Sequence, residues 1–366
     1  MIPKVLVTVG TRPEAIKLAP VVRALEAHGG FAVRLVFTGQ HRELLDQMAT
    51  FFDLRADRDL AVMQAGQTLP ELTARLMRGV DAVLADEAPT VVLTQGDTTT
   101  VLVTALACYY RRIPVGHVEA GLRTDDLFSP FPEEGNRRLA SVLTAHHFAP
   151  TRESAENLRR EGVPDVRIHV TGNTVVDALQ QIVTRDLPLP VPLPGDGPVV
   201  LVTMHRRENF GAPLRGLLGA LRTLCVERPE LTVVYPVHPN PNVLGPAHEV
   251  LGDLPNARLL APVGYGEFIA LMKRATIALT DSGGVQEEGP SIGLPILVLR
   301  DTTERPEGIA AGVARLCGTD PARVLAEARR LLDDPAARAA MRGATNPYGD
   351  GHAAERIVRV LADAYC

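Results

Sequence analysis

Short apolar runs alternate with stretches of helical spacing along almost the whole chain, and that alternation narrows the fold more than any other feature. Residues 4–9 form a β-branched run that stops at Gly10-Thr11-Arg12-Pro13-Glu14. Residues 33–37 end at Thr38-Gly39-Gln40-His41, residues 90–93 lead to Gln95-Gly96-Asp97-Thr98-Thr99-Thr100, and residues 114–118 end at Glu119-Ala120-Gly121-Leu122-Arg123. Residues 147–149 and 167–170 are the last strands expected in this half. Between them, Leu18, Val21, Val22 and Leu25 recur at the spacing of one helix face, with Pro20 predicted to kink or restart that helix. Helical patterns also cover residues 42–52 and 69–86, a further helix runs through Tyr110, and another starts at Pro130-Phe131-Pro132-Glu133-Glu134.

Residues 187–198 carry Pro188, Pro190, Pro192, Pro194 and Pro198, an extended spacer that marks a domain boundary. Beyond it the alternation restarts at residues 199–203, 231–235, 258–260, 275–280 and 295–299. Asp320-Pro321 caps a helix carrying Val324, Leu325, Ala328 and Leu332, and Ile357, Leu361, Ala364 and Tyr365 close the chain at helical spacing. Strands alternating with helices predict parallel sheets wound with right-handed crossovers. At 366 residues the chain suits two such domains, so the expected class is α/β, two doubly wound domains facing a cleft.

The densest turn is Thr280-Asp281-Ser282-Gly283-Gly284-Val285-Gln286-Glu287-Glu288, between two apolar runs. A hydroxyl and two glycines where a helix begins suit a phosphate, which free amides and the helix dipole would hold. Glu288 would suit ribose hydroxyls. An ordinary glycine-rich turn reads the same way. The net charge of −5, the pI near 6.1 and an aromatic content of 4% with no Trp argue against nucleic acid. Cys108, Cys225, Cys317 and Cys366 are scattered, so neither a zinc site nor a redox pair is expected. With no His-Glu-x-x-His and no Gly-x-Gly-x-x-Gly after a strand, no metal and no nicotinamide cofactor are expected. No run suggests a membrane span or a signal peptide, which predicts a soluble cytoplasmic protein.

Ligands of open α/β sheets bind beyond the carboxyl ends of the strands. Arg12, Asp97 and Glu119 fall there in the first half, and His205 and Ser282 in the second. Asp97 and Glu119 close successive strands, so two carboxylates with separated pKa values could supply one base and one acid. Asp97, ahead of three threonines, equally suits a helix N-cap. Glu133 and Glu134 suit a first helical turn and could pair with Arg137 and Arg138. His205 beside Arg206 and Arg207 suits an anion, and His238 closes a strand without an evident role.

Six stretches together resemble the non-hydrolysing UDP-N-acetylglucosamine 2-epimerases of bacteria. They are Gly10 through Lys17, Gln95 through Thr100, His117-Val118-Glu119-Ala120-Gly121-Leu122-Arg123-Thr124, Pro132-Glu133-Glu134, His205-Arg206-Arg207-Glu208-Asn209 and the 280–288 turn. Asn346-Pro347-Tyr348-Gly349-Asp350-Gly351 extends the match. The resemblance implies two Rossmann-like domains of the GT-B type. Residues 1–185 would form one, joined by a final helix at 352–366, and residues 186–351 would form the UDP-binding one.

The resemblance also implies interconversion of UDP-GlcNAc and UDP-ManNAc, with neither metal nor nicotinamide. It places uridine diphosphate on Arg12, Lys17, Phe268, Ser282, Gly283, Gly284, Glu288 and Arg305, and the essential acids and histidine at Asp97, Glu119, Glu133 and His205. A UDP-sugar is the expected partner, along with a second copy of the chain in a homodimer and a role in supplying cell-envelope polysaccharide. Where some members carry an activator-binding arginine before Gln-Thr-Leu, this chain has Gly66 before Gln67-Thr68-Leu69, while Gln40 and His41 are kept.

The chemistry accounts for these residue types. The C2 proton of an N-acetylhexosamine is not acidic until the C1–O bond to UDP breaks. Elimination leaves UDP and a 2-acetamidoglucal, and re-addition with a proton on the other face gives the epimer. Two faces call for more than one carboxylate, and a leaving diphosphate calls for cations and amides. A GT-B glycosyltransferase, a catalytically silent nucleotide-sugar sensor and a 2-epimerase of a modified UDP-sugar are the alternatives.

Overall fold

The structure is a computed structural model that describes residues 2–39, 42–64, 66–124, 126–193, 195 and 197–366, apart from the side chains of residues 42–44 and 46. Gln40, His41 and Pro194 lie outside the described residues. The chain divides into two compact units, Met1–Gln181 with Tyr348–Cys366, and Ile182–Pro347.

The first unit runs β1 (Lys4–Val9), α1 (Arg12–His28), β2 (Ala32–Phe37), α2 (Arg42–Phe51), β3 (Arg58–Asp59), α3 (Leu69–Glu87) and β4 (Val91–Gln95). It continues through α4 (Thr99–Arg111), β5 (Val115–Val118), α5 (Glu133–Leu143), β6 (His146–Ala149), α6 (Arg152–Arg160), β7 (Ile168–Val170) and α7 (Thr174–Val183). Its sheet is parallel, in the order β3-β2-β1-β4-β5-β6-β7.

The second unit carries β8 (Val199–Thr203), α8 (Ala212–Glu227), β9 (Thr232–Pro236), α9 (Pro241–Leu251), β10 (Ala257–Leu260), α10 (Tyr265–Arg274) and β11 (Ile277–Thr280). Then come α11 (Gly283–Glu288), β12 (Ile296–Val298), α12 (Pro306–Ala310), β13 (Ala314–Leu316), α13 (Pro321–Asp333) and α14 (Pro335–Arg342). This sheet is also parallel, in the order β10-β9-β8-β11-β12-β13. The last helix, α15 (Ala353–Tyr365), belongs to the first unit and packs on α1.

Each unit is the doubly wound parallel α/β layer that the alternation predicts. The central strands are mostly apolar because helices cover both faces. Val5, Val7, Val91, Val92 and Leu93 are fully buried in the first unit, and Val200, Val202, Val233 and Ile277 in the second. Strand order reverses between β1 and β4 in one unit and between β8 and β11 in the other, which are the switch points where such folds bind ligands.

Of the two outcomes expected at Pro20, the restart does not occur: α1 is one helix from Arg12 to His28 with Pro20 inside it. Proline removes one helical hydrogen bond, yet Ile16, Leu18, Ala19, Val21, Val22 and Leu25 are all buried along that helix, and their packing outweighs the loss. Two short edge strands, β3 and β13, were not anticipated, since neither is long enough to show a period.

Candidate active site

In the first unit, the strand-end residues flank the switch point. Arg12 opens α1 directly after β1; it is half-buried and makes no hydrogen bond or ion pair among the described residues. One turn on, Lys17 is buried and its Nζ lies 2.5 Å from Glu119 Oε1. Glu119 follows β5 and also accepts hydrogen bonds from Gln95 Nε2 and, at 3.1 Å, from Asn173 Nδ2. Its φ of 63° is left-handed, a conformation that disfavours a glutamate and is held here by three side chains. Such strain collects at functional positions.

Asp97 follows β4, the strand beside β5. It does not cap α4: Thr98 is the N-cap residue, and the Asp97 carboxylate lies 3.0 Å from Arg137 Nη2. Asn136 Nδ2 donates to the Asp97 carbonyl at 2.9 Å, and His117 Nε2 meets the Gly96 carbonyl at 2.6 Å, so the turn is tied on both sides. Glu133 and Glu134 separate in role. Glu134 is fully buried, accepts from Thr124 N at 3.1 Å and Arg138 Nε at 2.7 Å, and lies 3.4 Å from Arg137 Nε. Glu133 is half-buried at the start of α5, with no polar partner among the described residues.

Glu14 binds the amides of Gly10 and Thr11 and takes a hydrogen bond from Thr98 Oγ1 at 2.6 Å, joining the turns after β1 and β4. Burial pushes its carboxyl up to about 7, against those three donors. Gly10 is required, because a Cβ there would collide with Thr100.

In the second unit, the turn after β11 leads into α11 as expected. Ser282 is its N-cap residue, with its amide bonded to Thr280 Oγ1 at 2.9 Å. A Cβ on Gly283 would sit 2.8 Å from Arg305 Cζ, so the glycine admits the guanidinium, while one on Gly284 would make ordinary contacts with Ser282 Oγ at 3.8 Å and Glu288 Oε2 at 4.0 Å. Arg305 follows β12 and meets two carboxylates, Glu287 Oε1 at 2.8 Å and Glu304 Oε2 at 2.8 Å. Glu288 is buried and accepts from Tyr265 Oη at 2.6 Å. Phe268, half-buried, lies one turn beyond Tyr265 on α10.

His205 follows β8, its Nδ1 3.2 Å from the fully buried Asp281. Burial lowers its pKa and Asp281 opposes that shift. His238, which had no evident role, stacks on His205 with ring centroids 5.8 Å apart.

Arg12, Lys17, Asp97, Glu119 and Glu133 thus belong to the first unit, and His205, Phe268, Ser282, Gly283, Gly284, Glu288 and Arg305 to the second. Sequence reasoning missed what holds them. Asn173, Arg137 as a partner of Asp97, Tyr265 and Glu304 gave no local signal, whereas Asp281 stood inside the very turn that was singled out. Gly66 is described, has a positive φ and leaves open space where a Cβ would point.

Known proteins fit this arrangement. The family model described as UDP-N-acetylglucosamine 2-epimerase matches residues 23–362. The UDP-N-acetylglucosamine 2-epimerase of Salmonella typhimurium is 51% identical, over 98% of both chains. The crystal structure of a UDP-N-acetylglucosamine 2-epimerase from Listeria monocytogenes has a TM-score of 0.93 at 45% identity, covering 100% of this chain and 97% of that one. That of UDP-GlcNAc 2-epimerase from Neisseria meningitidis bound to UDP-GlcNAc has a TM-score of 0.90 at 43% identity, covering 98% of this chain and 100% of that one. These likenesses identify the two units as Rossmann-like and of the GT-B type. The chain belongs to the UDP-N-acetylglucosamine 2-epimerase family.

Proposed function

We infer that this chain is an isomerase that interconverts UDP-GlcNAc and UDP-ManNAc at C2. The observation that carries the reading is the near-full-length identity of 51% to an epimerase of that name. In the forward direction the C1–O bond breaks, its electron pair leaving with the diphosphate oxygen. A carboxylate then takes the C2 proton and the C–H pair becomes the C1=C2 bond of 2-acetamidoglucal. Re-addition delivers a proton to the opposite face of C2 and returns UDP to C1.

Asp97, Glu119 and Glu133 share the proton transfers in this scheme, and His205 supports the diphosphate. Arg12, Lys17, Phe268, Ser282, Gly283, Gly284, Glu288 and Arg305 hold UDP in this scheme. The strained backbone of Glu119 and the fixed pairing of Asp97 with Arg137 support an acid–base role, because groups that move protons need set positions.

The protein acts in the cytoplasm as a homodimer in this reading. Among the described residues no helix is long and apolar enough to cross a membrane. Tyr109 and Tyr110 on α4 and Leu139 and Val142 on the neighbouring α5 are all exposed, which supports a second copy as their cover. The sedimentation mass of the wild type should be twice that of a Leu139→Arg, Val142→Glu double variant.

Incubation with UDP-GlcNAc in deuterated water, followed by NMR, tests the reaction. Epimer carrying deuterium at C2 is the expected result. Unexchanged substrate recovered intact would refute the isomerase reading and favour a transferase or a sensor.

A further inference from the structure

Asp281 is fully buried between the end of β11 and Ser282. Its carboxylate accepts from His205 N at 3.1 and 2.9 Å, from Arg206 N at 2.9 Å and from Asn209 Nδ2 at 3.1 Å. Those donors fold the loop after β8 and already satisfy a buried carboxylate. The further contact, 3.2 Å between Oδ1 and His205 Nδ1, has a separate consequence. A carboxylate oxygen at that distance favours the ring form with the hydrogen on Nδ1, because a bare Nδ1 lone pair would face another lone pair. With the His205 amide bound to the same carboxylate and His238 nearly parallel at 16°, the ring is held from its backbone and from one face. Its Nε2 has no hydrogen-bond partner among the described residues, and the side chain is 37% exposed.

We propose that Asp281 is a positioning residue for His205, fixing the Nδ1–H form of the imidazole so that Nε2 is the atom presented to the substrate's diphosphate. The diphosphate half of this statement rests on the epimerase reading; the pairing does not. When Nε2 takes a proton or shares one with the departing diphosphate, the positive ring has a counter-charge already in contact, and no reorganisation is required at that moment. The charged and titratable groups facing the ring are Asp281, Arg206, His238 and Arg300. Asp281 alone among them favours the imidazolium, so its removal moves the ring's titration to lower pH.

The test uses full-length protein with 15N-labelled histidine, read by NMR, alongside the pH profile of epimerisation. Wild-type His205 should show the Nδ1–H tautomer, and added UDP should shift Nε2 more than Nδ1. In Asp281→Asn the tautomer should change, the pH limb assigned to His205 should move down, and kcat should fall by about 100-fold with a smaller change in KM. Val243→Ala, a core truncation on α9 in the same unit, should lose stability yet keep the tautomer and the pH profile.

A wild-type His205 in the Nε2–H form overturns the proposal without any variant, as does Asp281→Asn with an unchanged tautomer and pH profile. An Nδ1–H ring in a protein that forms no epimer counts against the epimerase reading and for the pair.

Discussion

In the proposed UDP site, Arg305 is already engaged by Glu287 and Glu304. A guanidinium held by two carboxylates has a fixed position, but much of its charge is offset, and a diphosphate must compete with those partners. Glu304 is the partner on the neighbouring residue, and its loss leaves Glu287 to keep the arginine in place. Glu304→Gln should therefore tighten UDP binding about 3- to 10-fold, roughly 1 kcal/mol, by calorimetry. Weaker binding in that variant would show that Glu304 orients Arg305. Asp97 works the other way. Asp97→Asn keeps the size but loses the charge that meets Arg137, so kcat should fall by about 100-fold or more with UDP affinity nearly unchanged. Near-normal turnover would remove Asp97 from the scheme. At this scale the sequence was legible as position: Arg12, Asp97, Glu119, His205 and Ser282 each stand just past a strand end, as the alternation predicts. Their tethers could not, because Asn173 reaches Glu119 and Asp281 reaches His205 across distances that only the folded chain closes.

His117 and His147 are register partners on β5 and β6, buried side by side. Each has a buried Nδ1 without a hydrogen-bond partner, so a second ring proton would have nothing to bind. Burial pushes His117 down to about 4 and His147 down to about 3. Below the unfolded pKa near 6.5 the unfolded chain takes up protons that the folded sheet refuses. Their contribution is therefore complete above that pH and is lost as pH falls toward the folded values. Glu14, pushed up to about 7, acts with the opposite sign over part of this range, so the raw curve mixes the two. The difference between wild type and His147→Gln isolates the histidine: between pH 7.5 and pH 5 the wild type should lose about 2 kcal/mol more than the variant, by urea unfolding. Equal losses would mean that His147 is protonated in the fold. Strands like these were readable because apolar runs bounded by polar turns have few alternatives. The choice at Pro20 between a continuous helix and a restart was not, because tertiary packing decides it.

Over the whole molecule, the chain leaves its first unit at Gln181 and returns to it at Tyr348, so the end of the sequence completes a helix layer begun by α1 at the start. Ile357, Val358 and Leu361 of α15 are buried, and Asp177 Oδ1, itself buried, accepts from Ala354 N at 2.8 Å. Arg356 Nη1 donates to the Thr171 carbonyl at 2.9 Å, and the Tyr348 carbonyl accepts from Asn173 N at 2.7 Å. That last bond matters for the chemistry, since the Asn173 side chain holds Glu119. A chain ending at Pro347 loses the burial of three large apolar side chains, at about 1.5–3 kcal/mol each, and leaves Asp177 without its amide. Against a typical domain stability of about 5–15 kcal/mol, the first unit should not survive. The second unit keeps its own core, built on Val200, Val202, Leu217, Leu221, Val233 and Ile277. Calorimetry of the truncated chain should show one remaining unfolding transition. UDP should still bind, and no deuterium should enter C2. Epimerisation at a near-normal rate by that chain would mean that Asp97 and Glu119, both in the unit that depends on α15, are not the groups that move the proton.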